Sequence, residues 1–153
     1  MSRTMLLLLA GLLAATPLNA RTVLGQYDRW GAFREEPGRC FAVAEPIGVK
    51  RRDDPPFVAI IRKHRGGPPR LHVAPGRNLR PDTPLRLEIG ERFFPLAGFG
   101  GKDVREDARI IAAIRRADRL RVAGVDVRGR RFHDDYPLAG APSAIDAAII
   151  GCL

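Results

Sequence analysis

Cys40 and Cys152 are the only two cysteines in a chain of 153 residues. If they pair, the penultimate residue is tied to an early segment, and nearly every other element must fit inside the closed loop. Whether they pair depends on the compartment, and the N-terminus decides that. "MSRTMLLLLAGLLAATPLNA" has a basic start at Arg3, an apolar run from Met5 to Ala15, a breaking Pro17 and a small residue at Ala20. This is the layout of a secretory leader, with removal expected after Ala20. The apolar run falls short of the ~20 residues that span a bilayer. No cysteine follows it to carry a lipid, and no later stretch is long enough to cross. The expected location is the periplasm or the cell exterior. Two cysteines in such a chain read as one disulfide. Closing a loop of 112 residues contributes about 4–5 kcal/mol on the chain-entropy model.

Residues 1–20 are thus expected to be a signal peptide, and residues 21–153 a single domain large enough to bury a core. The formal charge is +9, and loss of Arg3 with the leader makes it +8. Arginine supplies nearly all of it, 23 Arg against 3 Lys. Such an excess attracts phosphates, acidic headgroups or acidic proteins. Two stretches concentrate it. Phe57 to Arg80 holds six basic residues and no acid, and Arg115 to Arg131 holds seven arginines against two aspartates.

Most segments of the domain read as short strands punctuated by Gly and Pro. "DRWGAFRE" and "CFAVAEPI" are separated by the turn "EPGR". Cys40 to Ala44 is apolar throughout, as in a strand covered on both faces. "KRRDDPP" reads as a loop, "FVAIIRKH" as a strand and "RGGPP" as a turn. In "RLHVA", Leu71 and Val73 share one side and Arg70 and His72 the other. In "LRLEI", Leu85, Leu87 and Ile89 point inward and Arg86 and Glu88 outward. A turn at Gly90 and Glu91 returns the chain through "RFFPLAG". "RLRV" places Leu120 and Val122 inside and Arg119 and Arg121 outside, with a bulge expected at Ala123 and Gly124. "VDVRGRRFHDDY" reads as a hairpin turning at Arg128 and Gly129.

Two segments have helical period. "KDVREDARIIAAIRRAD" sets Val104, Ala108, Ile111 and Ile114 in one stripe, with acids at its start and Arg115 and Arg116 at its end. "APSAIDAAIIGC" offers Ser143 and Asp146 as a capping pair and carries Cys152. Trp30 and Phe33 are expected in the core near the disulfide. Many strands and two helices predict a β-sandwich with peripheral helices.

Catalytic patterns are sparse. His64 and His72 lie among basic residues, and no H-x-H, H-x-x-x-H or cysteine pair supplies metal-ligand spacing. "HDDY" could supply an acid and base for a hydrolase, but strand alternation puts His133 and Asp135 on one face and Asp134 and Tyr136 on the other. Ser143 is the sole serine after the leader, and no G-x-S-x-G elbow occurs. "RGGPPR" and "GFGGK" match neither phosphate-binding nor dinucleotide loops and read as turns. No cofactor and no metal are expected.

The order "WGAFRE", "RCFAVAEP", "RLEIGERFFPLAG", "DARIIAAIRRADRLRV" and "YPLAGAPSAIDAAIIGC" resembles the invasion-associated locus B family, in its short exported alphaproteobacterial form. The likeness runs from about Gln26 to Cys152. It implies a mainly β, immunoglobulin-like β-sandwich with one or two peripheral α-helices, exported and envelope-associated. It carries over Cys40 and Cys152 as structural residues and no functional site.

The expected function is a non-enzymatic binding protein that presents Arg70, Arg86, Arg119 and Arg121 to an anionic envelope lipid, a polysaccharide or an acidic protein. Nucleic acid is not expected as a partner, because export removes the usual targets. The alternatives are a structural or chaperone-like envelope protein using apolar surface, and a hydrolase centred on His133 and Asp135.

Overall fold

The computed structural model describes residues 21–36, 38–50, 53–63 and 66–153. The expected leader at 1–20 and His64 lie outside them. The described residues form nine strands, in two antiparallel sheets, and two helices. The first sheet is a meander of β1 (Arg21–Tyr27), β2 (Trp30–Glu35), β3 (Arg39–Ala44), β4 (Phe57–Lys63) and β5 (Arg70–Ala74), paired in sequence order. The second contains β6 (Arg86–Ile89), β7 (Arg92–Pro95), β8 (Arg119–Val125) and β9 (Arg131–Pro137), ordered β7-β6-β8-β9. Helix α1 (Val104–Ile114) links β7 to β8, and α2 (Ala141–Gly151) ends the chain.

Alternation accounts for the sheets. On the inner side of the first lie Trp30, Ala32, Cys40, Ala42, Ala44, Val58, Ile60, Leu71 and Val73, all buried. Leu85, Leu87, Ile89, Leu120 and Val122 line the second in the expected phase. These residues and the buried faces of both helices form one core. Helix α2 packs against β1, β2, β3 and β4, and its last turn brings Cys152 to Cys40. The two form the expected disulfide with Cα atoms 5.8 Å apart. Trp30 is fully buried, and its indole N–H donates to the Pro137 carbonyl at 3.0 Å.

Several local expectations are corrected. β1 carries no strong period and goes unread in the sequence; it pairs with β2 through a bulge between Val23 and Gly25. No bulge interrupts β8, whose register with β9 is unbroken from Arg119 to Val125. Gly124 keeps the strand in phase because the Phe132 ring crosses it: a Cβ there would lie 2.8 Å from that ring and 2.9 Å from Leu85. The buried residues of α1 are Asp107, Ile110, Ile111, Ala113 and Ile114, while Val104 and Ala108 face outward. Asp107 can occupy an inward position because its carboxylate accepts from the Gly101 N–H at 2.8 Å and pairs with Arg70. Helix α2 is not capped by Ser143, which lies inside its first turn. Its N-cap is Gly140 at φ 80°, where a Cβ would collide with the Tyr27 carbonyl.

Among the described residues no helix is long and apolar enough to cross a membrane.

Candidate functional site

The outer side of the first sheet is where the expectation and the structure part most. Strand β3 was expected to be covered on both faces, and Phe33 to lie in the core. Instead Phe33, Phe41 and Val43 are half-buried on a face that no element among the described residues covers. The cross-strand register arranges this face in rows. One row runs Val23–Phe33–Phe41–Ile61–Arg70. The next runs Gln26–Gly31–Val43–Ala59–His72. Its small residues form a floor beside the bulkier first row. The Phe33 and Phe41 rings stack with centroids 5.5 Å apart. Phe57, His72 and Phe99 continue the aromatic lining at the β5 side, with centroid separations of 5.7 and 6.0 Å. The result is an open groove of about 930 Å³.

Charge is distributed unevenly around it. Beyond the phenylalanine row lies a charged row, Arg21–Glu35–Arg39–Lys63. Arg39 and Arg21 both bind the Glu35 carboxylate, and they hold it below the usual carboxylate range, Arg39 with the larger effect. Arg21 also lies over the Phe33 and Phe41 rings, at 5.9 and 5.2 Å from their centroids. The opposite margin carries Asp28, Arg29 and Glu45. One end of the groove is therefore net cationic and the other is not.

The four arginines singled out in the sequence are divided between two places. Arg86, Arg119 and Arg121 share the outer face of the second sheet, in the cross-strand rows Arg86–Ala123–His133 and Glu88–Arg121–Asp135 and opposite Pro137. Arg70 stands on the first sheet and is spent on Asp107. Of the other three, Arg121 grips Asp135 with two bonds of 2.7 and 3.1 Å, and Arg86 lies 4.9 Å over the Phe93 ring.

"FHDDY" alternates as expected, with Asp134 and Tyr136 buried and His133 exposed on the other side. Both acids are held by arginine. Arg77 donates to the two Asp134 oxygens at 3.0 and 3.1 Å while lying 4.0 Å over Phe132. Arg121, mainly by direct hydrogen bonding, pulls the Asp135 pKa below its ordinary value. A carboxylate so held is a weak base and stays deprotonated, so it is a poor proton donor at neutral pH. Burial pushes the Tyr136 phenol up, out of reach of ionisation. Among the described residues no group of three or more His, Cys, Asp or Glu converges as metal ligands do.

Family models, curated proteins and solved structures offer no match to this chain. Its function must be read from its own surfaces. The open groove is the feature that sequence reasoning missed, because an apolar run in a strand looks the same whether its second face meets protein or awaits a ligand. The usable signal was the pairing of strands that are apolar in both phases, β2, β3 and β4, against two helices too few to cover both sides.

Proposed function

We propose that this protein is an exported, envelope-associated binding domain, non-enzymatic, whose binding surface is the outer face of the first sheet. The observation that carries it is the uncovered row Phe33–Phe41–Ile61 beside the Gly31–Val43–Ala59 floor. A groove of this size, with half-buried apolar side chains along its middle and charged groups at both margins, suits ligand binding. Export is supported by the leader-like N-terminus and by the Cys40–Cys152 bridge, a bond that persists in oxidising compartments. A binding role is supported by the arginine hold on Asp134 and Asp135, which engages both carboxylates of the HDDY segment.

Membership of the invasion-associated locus B family, and an immunoglobulin-like form of the sandwich, belong to this proposal. Two antiparallel sheets, the buried Trp30 and the terminal-helix disulfide support them. The strand order is a point of difference. Antibody domains interleave their strands between sheets, whereas here five consecutive strands form one sheet and the remaining four the other.

The test is binding of the purified mature protein to isolated cell-envelope fragments at low and high salt. Val43→Glu, which sets a charge in the groove, should abolish binding at both. Replacing Arg86, Arg119 and Arg121 together with Gln should leave it within about twofold. The reverse pattern, with salt-sensitive binding lost only in the arginine variant, would assign the second sheet instead.

A further inference from the structure

We propose that the groove takes a single acyl chain of an anionic amphiphile, with the head group on the Arg21–Arg39–Lys63 margin and the chain over Phe33, Phe41 and Ile61 toward Phe57. This rests on the reading of the open face as the binding surface and names its ligand.

The geometry points to a head-and-tail molecule because polarity changes along the strands. At one end the row Arg21–Glu35–Arg39–Lys63 holds three cations against one acid. Two residues further along β2, β3 and β4 the lining is Phe33, Phe41 and Ile61. Two further still it is Gly31, Val43 and Ala59, followed on β4 by Phe57. From Lys63 to Phe57 along β4 this spans about 20 Å at the usual strand rise. The far margin has two acids, Asp28 and Glu45, against Arg29. An anionic head is thus drawn to one end and repelled from the other, which fixes the direction of the chain. Glu35 holds Arg21 and Arg39 in place without cancelling them, and Arg21 is already stacked over two of the rings that the first methylenes would cross. The floor is free of polar side chains between Gln26 and His72. A sugar or a peptide would find no hydrogen-bonding partner there, while methylenes need none. The Phe33 ring leans over the buried Gly31 and fills the place a Cβ there would take, at 2.6 Å. Even alanine there would displace the wall.

The experiment is titration calorimetry of the mature protein with dodecyl phosphate, with the neutral dodecyl maltoside and with inorganic phosphate, each below micelle formation. Dodecyl phosphate should bind about tenfold more tightly than the neutral amphiphile. Its affinity should rise about two- to fourfold per methylene from octyl to dodecyl. The double variant Arg39→Gln, Lys63→Gln should reduce the phosphate preference about three- to tenfold. Val43→Glu should abolish binding of both amphiphiles, with circular dichroism confirming that it is folded. Equal binding of charged and neutral chains, indifferent to the double variant, would overturn the head-group assignment while leaving the face as the binding surface. Displacement of dodecyl phosphate by millimolar inorganic phosphate would overturn the acyl chain. A concentration-dependent dimer abolished by Val43→Glu would make the occupant a second copy. Unchanged binding in Val43→Glu would overturn the face itself.

Discussion

Asp107 occupies a position that helical periodicity reserves for an apolar side chain, and it is fully buried there. Its carboxylate is tolerable because Arg70 and the Gly101 N–H both donate to it. Arg70 is therefore a structural partner of α1. Arg70→Gln should destabilise the fold by about 2–4 kcal/mol, since it leaves a buried carboxylate short of its partner. Chemical denaturation would read this, and a loss near zero would contradict the pairing. Asp135 and Glu35 lead to a prediction in pH. Arginine lowers the folded pKa of both below the ordinary value. Unfolded carboxylates take up protons near pH 4. As the pH falls through that region, the unfolded chain binds more protons than the folded one. Their stabilisation is therefore complete above it and is lost toward the folded pKa values. The urea midpoint should drop on going from pH 6 to pH 3, and Asp135→Asn should flatten that drop. An unchanged slope in the variant would rule out the Arg121 pairing as its source.

At the scale of elements, β6, β9 and the buried side of β5 were legible because each alternates over its length, and β7 because a turn at Gly90 returns the chain beside β6. The errors share a cause: periodicity reports which side chains are apolar, not what lies opposite. Ala123 and Gly124 looked like a break in phase, yet the strand continues because Phe132 of β9 fills the space that a side chain at Gly124 would need. Gly124→Val should therefore cost roughly 1–3 kcal/mol by overpacking. In an outward bulge the same change would be neutral, so a thermal melt separates the two. The stripe of α1 held at Ile111 and Ile114 but failed in its first turns, at Val104 and Ala108, because a buried aspartate cannot be seen without its arginine. Ser143 looked like a cap because Gly140 gives no side-chain signal, and its left-handed conformation is set by the close approach of Tyr27.

The disulfide joins α2 to the middle strand of the first sheet, so it acts on the whole molecule. Replacing Cys40 and Cys152 together with Ala should lower the melting temperature by on the order of 10 °C. A shift of only a degree or two would show that burial of Ile145, Ala148 and their neighbours holds α2 unaided. The same helix covers the inner side of the first sheet and thereby leaves the outer side open, which is how the fold comes to present its groove. That opening was not legible beforehand. The identity of Phe33, Phe41 and Val43 was plain, but their being left uncovered depends on where both helices dock, a long-range outcome that no local pattern encodes. Methyl NMR of residues 21–153 during titration with dodecyl phosphate tests the account most directly. Shifts confined to Val43, Ile61 and Val23 are predicted, with Val122 and Ile89 of the second sheet unmoved. Shifts centred on the second sheet, with Val43 and Ile61 unchanged, would contradict it.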